Sequence, residues 1–377
     1  MKIGIEAQRI FRKKKHGMDF VALELIKNLP LNENQEYFVF VNAKDSEIYK
    51  PAFAHVNIIN KSLPYPIWEQ FWLPRAAKKI NLDVLHCTAN TFPVNNAVPK
   101  LLTLHDIIFM ERNPLIISDY SWYQRLGNYY RRILIKYYLD KVNKIVTVSE
   151  FELNAMKKGL KTEGLENKIS RIYNGVGEHF NADELSQDQQ ENLIKKYDIP
   201  NDFALFLGNT DPKKNTPNTL KAFVKFAEKN KSAYLVIGDI DQSYVEKCLP
   251  ASTPMDVKKR IVSVGYIDNQ DLPGLLKLAR IFLYTSLRES FGIPLVEGMR
   301  CGTPVITSNT SSMPEIAQGA ALLVDPFSVE DIANSSDRLW NDKMLRAEFK
   351  EKGIARSTHF NWSRMSIQYS RIYSQVA

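Results

Sequence analysis

The sequence predicts an α/β protein of two doubly wound halves, on three observations. Short apolar runs alternate with amphipathic stretches from Ile3 onward, the pattern of parallel strands joined by helices. The alternation then starts afresh. After a polar, acidic, Gln-rich stretch from Asp183 to Gln190, expected to be a linker or surface loop, the run Phe203 to Leu207 opens a second series. Finally, 377 residues are too many for one ordinary core, so two domains are expected, with the boundary near residue 178.

Composition narrows the class. Apolar residues make up 44% and charged residues 24%, as in a globular protein and not a disordered one. Cys87, Cys248 and Cys301 share no disulfide-like or metal-like spacing, which points to a reducing, cytoplasmic setting. The chain opens directly as a strand, Lys2 to Ile5, without a signal-like segment, and no apolar run approaches a membrane span. The net charge of +8 is lopsided: residues 1–180 hold 26 Lys+Arg against 18 Asp+Glu, and residues 181–377 hold 24 of each. A basic half suits phosphorylated substrates, an anionic membrane or nucleic acid. No nucleic-acid motif accompanies it, so no nucleic-acid partner is expected.

In the first half, Ile3 to Ala7 reads as a strand. A basic loop, Arg9 to His16, ends at Gly17, and Phe20, Leu23, Ile26 and Leu29 give Met18 to Leu29 a helical period. Tyr37 to Asn42 is a strand. Pro64 to Lys79 gathers aromatics before a basic helical segment, and Asp83 to His86 is the next strand. Leu101 to Asp106 is a strand ending in His105-Asp106, and ligands collect at strand carboxyl ends in open α/β sheets. Tyr120 to Tyr138 is helical and interleaves Trp122, Tyr123, Tyr129 and Tyr130 with Arg125, Arg131 and Arg132. It can serve as a core helix, a membrane-surface helix or a nucleic-acid surface. Lys144 to Glu150 leads into a helix with Ser149 as its N-cap, and Ile169 to Val176 is a last strand and turn.

In the second half, Phe203 to Leu207, Tyr234 to Gly238, Ile261 to Gly265, Ala279 to Tyr284, Val305-Ile306 and Ala321 to Asp325 read as strands. The first of them runs into the loop Gly208 to Asn215 and the helix Thr216 to Lys229. Asp239-Ile240-Asp241 superficially spells a divalent-metal motif but reads as a solvated loop. Ser312-Met-Pro-Glu315 reads as a capping box, and Asn361 precedes a last helix, Ser363 to Val376.

The most informative stretch is Thr285 to Ile306. A buried strand ends, the chain turns through Phe291-Gly292, and a helix starts with Pro294 near its first position and stops at Cys301-Gly302. A helix start of this kind presents unpaired N–H groups and a positive dipole end, both suited to phosphate. Glu289 lies before the turn and Glu297 one turn into the helix, so both carboxylates can face one crevice and hold hydroxyl groups.

This block resembles the retaining nucleotide-sugar glycosyltransferases of family 4, whose hallmark is two glutamates with seven residues between them. Glu289 to Glu297 has that spacing, with Phe291-Gly292-Ile293-Pro294 inside it and Gly302-Thr303-Pro304-Val305-Ile306 after it. The resemblance covers nearly the whole chain, more loosely over 1–180 than over 203–326. It implies the GT-B fold, two Rossmann-like domains facing across a cleft, with the first (1–178) on the acceptor side and the second (179–359) binding the donor. It also implies that the terminal helix (360–377) crosses back to the first domain.

The resemblance assigns the residues as follows. Glu289, Lys214 and His105 are catalytic: Glu289 holds hydroxyls of the transferred sugar, Lys214 pairs with the donor diphosphate, and His105 faces the sugar. Gly17, Asn209, Lys213, Tyr266, Phe291, Gly292, Ile293, Leu295 and Glu297 bind the donor, Glu297 at the ribose and Tyr266 beside the base. Asp106 lies on the acceptor side. The family often has an arginine where Asn209 stands, which leaves the phosphate clamp one charge short unless Lys213 or Arg288 substitutes. No metal and no cofactor are implied; the partners are a GDP- or UDP-sugar and a saccharide or lipid-linked saccharide, with peripheral attachment to an anionic inner membrane face. The rival expectations are an epimerase or phosphorylase on the same architecture, or a non-catalytic nucleotide or nucleic-acid binding protein.

Overall fold

The computed structural model describes residues 1–8, 10–11, 17–31, 34–42, 56–111, 122–160 and 166–377. The chain divides into two compact units, Met1–Gly175 with Asn361–Ala377, and Val176–Phe360. Among the described residues no helix is long and apolar enough to cross a membrane.

The first unit is built on a parallel sheet of β1 (Lys2–Glu6), β2 (Glu36–Val41), β3 (Asn57–Asn60), β4 (Val84–Cys87), β5 (Lys100–Thr103), β6 (Lys144–Thr147) and β7 (Ile169–Arg171). Its order is β3-β2-β1-β4-β5-β6-β7. The central strands are apolar on both faces because helices cover both: Ile3, Ile5, Val84, Leu85, Leu101, Leu102, Ile145 and Val146 are all buried. Strand order reverses between β1 and β4, so the crevice of this unit opens at their carboxyl ends. The helix Trp362–Val376 packs onto this sheet. Tyr373 Oη lies 2.9 Å from His86 Nδ1, Tyr369 Oη lies 2.9 Å from Thr103 Oγ1, and Ser366 Oγ donates to Leu25 O. Burial, and then His105 nearby, push His86 down to about 3, so its ring stays neutral against the tyrosines.

The second unit repeats the plan with β8 (Phe203–Leu207), β9 (Tyr234–Gly238), β10 (Ile261–Gly265), β11 (Ile281–Tyr284), β12 (Val305–Ser308) and β13 (Leu322–Val324). Its order is β10-β9-β8-β11-β12-β13, all parallel, so the reversal falls between β8 and β11. The doubly wound architecture expected from the alternation is therefore present in both units.

Three local expectations need correction. Asp183 to Gln190 is not all loop, because a helix runs Gln187–Tyr197. Ser186 accepts from Gln189 N while the Gln189 side chain accepts from Ser186 N, a capping box that lets a polar segment hold helical form. The capping box expected at Ser312 is absent. Ser312 has helical dihedrals and its hydroxyl donates elsewhere. The segment before β4 is helical from Tyr65, with one π-turn at Trp68–Trp72. Ser149, by contrast, is an N-cap, accepting from Glu152 N. Arg12 to Lys15 and Tyr120 lie outside the described residues, as does the side chain of Tyr123.

Candidate active site

In the second unit, the loops leaving β8 and β11 flank the reversal in strand order and form one polar crevice. The β8 loop is shaped by its own side chains. Asn209 Oδ1 accepts from Asp211 N at 2.9 Å, Asp211 Oδ1 from Lys213 N at 3.1 Å, and Thr216 Oγ1 donates to Asn209 O at 2.8 Å. The Asn209 side chain is thus committed to its own turn. Asn215 then adopts φ +60°, a region asparagine tolerates, and its Nδ2 donates to Thr285 O and Pro326 O. Leu287 N donates to Lys213 O at 2.7 Å. These bonds hold the β8 and β11 loops together.

Lys214 Nζ donates to Glu289 Oε1 at 2.7 Å, with side chains 22% and 13% exposed. Burial alone would raise the Glu289 carboxyl. The charges of Lys214 and Lys213 and the hydrogen bonds from Lys214 and Ser286 outweigh it and hold Glu289 below its ordinary value, so it is ionised. The Lys214 ammonium also lies 5.5 Å from the centroid of the buried Tyr284 ring. Lys213 Nζ is 3.7 Å from Asp211, and an Arg288 guanidinium N–H donates to Glu289 O. Both extra cations are at this crevice.

Gly292, with φ +95° where a side chain would be strained, turns the chain into the helix Ile293–Arg300. The N–H groups of Gly292 and Ile293 take no partner among the described residues. Gly298 seats this helix closely on β11, because a Cβ there would come within 2.7 Å of Phe282. The Glu297 carboxyl, on the same helix, has no hydrogen-bond or ion-pair partner among the described residues, and burial pushes it up to about 8. Two donor-binding expectations change here. Leu295 is fully buried, with its N–H given to Gly292 O, and belongs to the core. The Phe291 ring is also buried, edge-on to Phe360 at 5.5 Å, so the side chain belongs to the core. Tyr266 is 57% exposed and follows Gly265, whose φ is +66°. Among the described residues, no group of three or more His, Cys, Asp or Glu is placed to hold a metal ion.

One feature of the site went unread in the sequence. Residues 307–312, Thr-Ser-Asn-Thr-Ser-Ser, supply hydroxyls that track the β11 loop. Thr307 Oγ1 donates to Tyr284 O, Ser308 Oγ to Ser286 O and Thr310 Oγ1 to Leu287 O. Glu289 N donates to Ser311 Oγ, and Ser312 Oγ donates to Glu289 O and Phe291 O. The hydroxyl-rich run was the available signal; what it touches was not.

In the first unit, His105 follows β5. Its N–H donates to Asn90 Oδ1 at 2.7 Å, and Nε2 lies 2.9 Å from Thr88 O. A carbonyl only accepts, so Nε2 carries the proton and Nδ1 keeps a free lone pair. Burial lowers the His105 pKa, against the opposing pull of Thr88 O, Asp106 and Asp19, so the ring is neutral near pH 7. Asp106 accepts from Ile108 N, which starts the short helix Ile108–Glu111. Gly17 opens the helix Gly17–Lys27, and a Cβ added there would meet nothing within 4 Å. Glu6, unread in the sequence, is buried at the end of β1 and accepts from Gln8 N and Thr88 N.

Two doubly wound units, one with a lysine and two glutamates at its switch point, define a protein of the GT-B class. The chain belongs to the family 4 glycosyltransferases: the family model Glycosyltransferase Family 4 matches residues 16–179, and Glycosyl transferases group 1 matches residues 189–356. Serotype-specific mannosyltransferase WbdA of Escherichia coli is 26% identical over 205 residues, 54% of this chain and 25% of WbdA. O-antigen chain mannosyltransferase B of Escherichia coli is 27% identical over 246 residues, 62% of this chain and 61% of that protein. The chain thus spans a quarter of the first of these relatives and less than two thirds of the second. O-antigen chain mannosyltransferase RfbU of Salmonella typhimurium is 25% identical, over 77% of this chain and 72% of its own.

Solved structures share the fold. A glycosyltransferase from Rickettsia africae superposes with a TM-score of 0.75 at 19% identity, covering 100% of this chain and 98% of its own. WaaG, a glycosyltransferase involved in lipopolysaccharide biosynthesis, gives 0.73 at 14%, covering 98% and 99%. HepE of Anabaena, solved with UDP and glucose, gives 0.72 at 19%, covering 99% of each chain.

Proposed function

We propose that this chain transfers a hexose, mannose being favoured, from a nucleoside diphosphate sugar to a saccharide or lipid-linked saccharide in surface polysaccharide biosynthesis, with retention at the anomeric carbon. The observation that carries this reading is the Lys214–Glu289 pair at the β8/β11 switch point, beside the partnerless Glu297 carboxyl. Mannose is favoured because several relatives are named mannosyltransferases. A GDP- or UDP-sugar is the expected donor, and HepE was solved with UDP-glucose.

The chemistry follows from charge. On donor binding the diphosphate takes Lys214, together with the free N–H groups of Gly292 and Ile293. Glu289, released and ionised, accepts hydroxyls of the sugar. Glu297, largely protonated near pH 7, can donate to one ribose hydroxyl and accept from the other. As the bond from the anomeric carbon to phosphate lengthens, negative charge grows on the leaving oxygen, where Lys214 stabilises it most. The acceptor oxygen bonds to the anomeric carbon on the same face and its proton passes to the departing phosphate oxygen. No enzymic nucleophile is used, and no metal is required. His105 Nδ1 offers an acceptor to a sugar hydroxyl.

Membrane attachment belongs to the same reading. Trp122, Leu126 and Tyr129 fall on one stripe of the helix Trp122–Tyr138, and Trp122 is 73% exposed. Arg132 is occupied within the fold, donating to Phe109 O and Met110 O.

The test is a screen of GDP- and UDP-sugars by thermal shift, then by release of nucleoside diphosphate with a saccharide acceptor and assignment of the product anomer. A stabilising donor and a product of retained configuration are expected. An inverted product would overturn the mechanism, and no response to any sugar nucleotide would overturn the function.

A further inference from the structure

We infer that Ser311 is a positioning residue for Glu289, and that the hydroxyl run 307–312 exists to hold the β11 loop ready for the sugar. The inference rests on the reading of Glu289 as the group that binds the transferred sugar.

The β11 loop gains little from regular structure. Beyond Tyr284 its backbone has left the sheet, and the helix does not begin until Ile293. A carboxylate on such a loop would wander unless something fixed its backbone, and misplacement of about 1 Å can cost a hundredfold in rate. The hydroxyls supply the fixing in order along the chain, at Tyr284, Ser286, Leu287, Glu289 and Phe291. Residue 289 is held on both sides: Ser311 Oγ accepts from its N–H at 3.0 Å, and Ser312 Oγ donates to its carbonyl at 3.0 Å. These two hydroxyls act on the backbone of Glu289, while Lys214 holds its carboxylate.

Ser311 also has φ +52°, in the left-handed region where glycine is the unstrained choice. A position selected for backbone shape alone would take glycine. Serine there keeps a strained dihedral in exchange for the oxygen that holds Glu289 N–H. This conflict between local preference and hydrogen bonding is expected where positioning is favoured over stability.

The same conflict makes the test decisive. Ser311→Gly removes the hydroxyl and relieves the strain, whereas Ser311→Ala removes the hydroxyl and keeps the strain. Both variants should lose roughly ten- to a hundredfold in kcat. Their Tm values should differ, with the Gly variant at or above the Ala variant. Affinity for GDP or UDP alone should stay within about twofold of the parent, because Lys214 and the helix start do not depend on Ser311. Hydrogen exchange at the Glu289 N–H, which loses its acceptor, should quicken in both variants, a readout that needs no donor. If kcat follows Tm, so that the Gly variant matches the parent and the Ala variant fails, Ser311 is a structural residue and the inference is overturned. Parent-like rates and exchange in both variants overturn it as well. Glu289→Gln serves as the control: retained transfer in that variant means the reading of Glu289 has failed, while its loss beside fully active Ser311 variants means the inference alone has failed.

Discussion

Glu289 and Lys214 are paired with each other, and in the proposed reaction a donor diphosphate would compete for Lys214, which has a measurable consequence. Replacing Glu289 by Gln removes a negative charge beside the diphosphate and frees the ammonium. Transfer should fall by about a hundredfold or more. Affinity for GDP or UDP, by titration calorimetry, should hold or tighten; a tenfold weakening would contradict competition at Lys214. Glu297 makes a second prediction, through pH. Its folded carboxyl titrates near 8, above the ordinary value of 4.5, so the folded state binds the extra proton between those limits. Stability is fully present below the unfolded value and falls as pH rises through the folded one, by at most about 1.4 kcal/mol per pH unit. Denaturant titrations of Glu297→Gln should flatten that slope between pH 5 and 8, and a slope equal to the parent's would place the titration elsewhere.

At the scale of elements, two serines that look alike in sequence have opposite roles. Ser186 caps the helix Gln187–Tyr197 and sits on the surface, far along the chain from the crevice loops. Ser186→Ala should cost about 1 kcal/mol of stability by chemical denaturation and leave transfer unchanged. Ser312 likewise stands three residues before a Glu or Gln, here Glu315, but turns its hydroxyl to Glu289 O and Phe291 O. A motif of four residues specifies what a helix start can use. It does not specify whether another loop, 21 residues away in the chain, claims the same hydroxyl first.

At the scale of the whole molecule, the positive excess of residues 1–180 coincides in sequence with the helix Trp122–Tyr138 and its exposed aromatic stripe. Each basic residue near an anionic surface contributes about 1 kcal/mol, fading over a Debye length of about 8 Å at physiological salt. Co-sedimentation with anionic but not zwitterionic vesicles is expected, weakened by salt and by Trp122→Glu with Leu126→Glu. Equal sedimentation with both lipids, or with neither, would return the stripe to an ordinary surface. Arg132→Glu is a poor probe, since it breaks contacts with Phe109 O and Met110 O within the fold.

By itself the sequence determined the alternation of strands and helices, the two series, and the loop that carries Glu289. Those features depend on local periodicity and on Gly and Pro placement, which neighbouring residues encode. Tertiary structure alone decided which groups meet. Lys214 and Glu289 are 75 residues apart, and only the β8–β11 adjacency brings them to 2.7 Å. The protonation of Glu297 and the neutrality of His105 also required the fold, because desolvation depends on what covers a group and not on its neighbours in the chain. Leu295 and the Phe291 ring went to the core for the same reason. The hydroxyls of 307–312 were visible as residues, but their partners lie one strand away, at a register set by β11 pairing with β12.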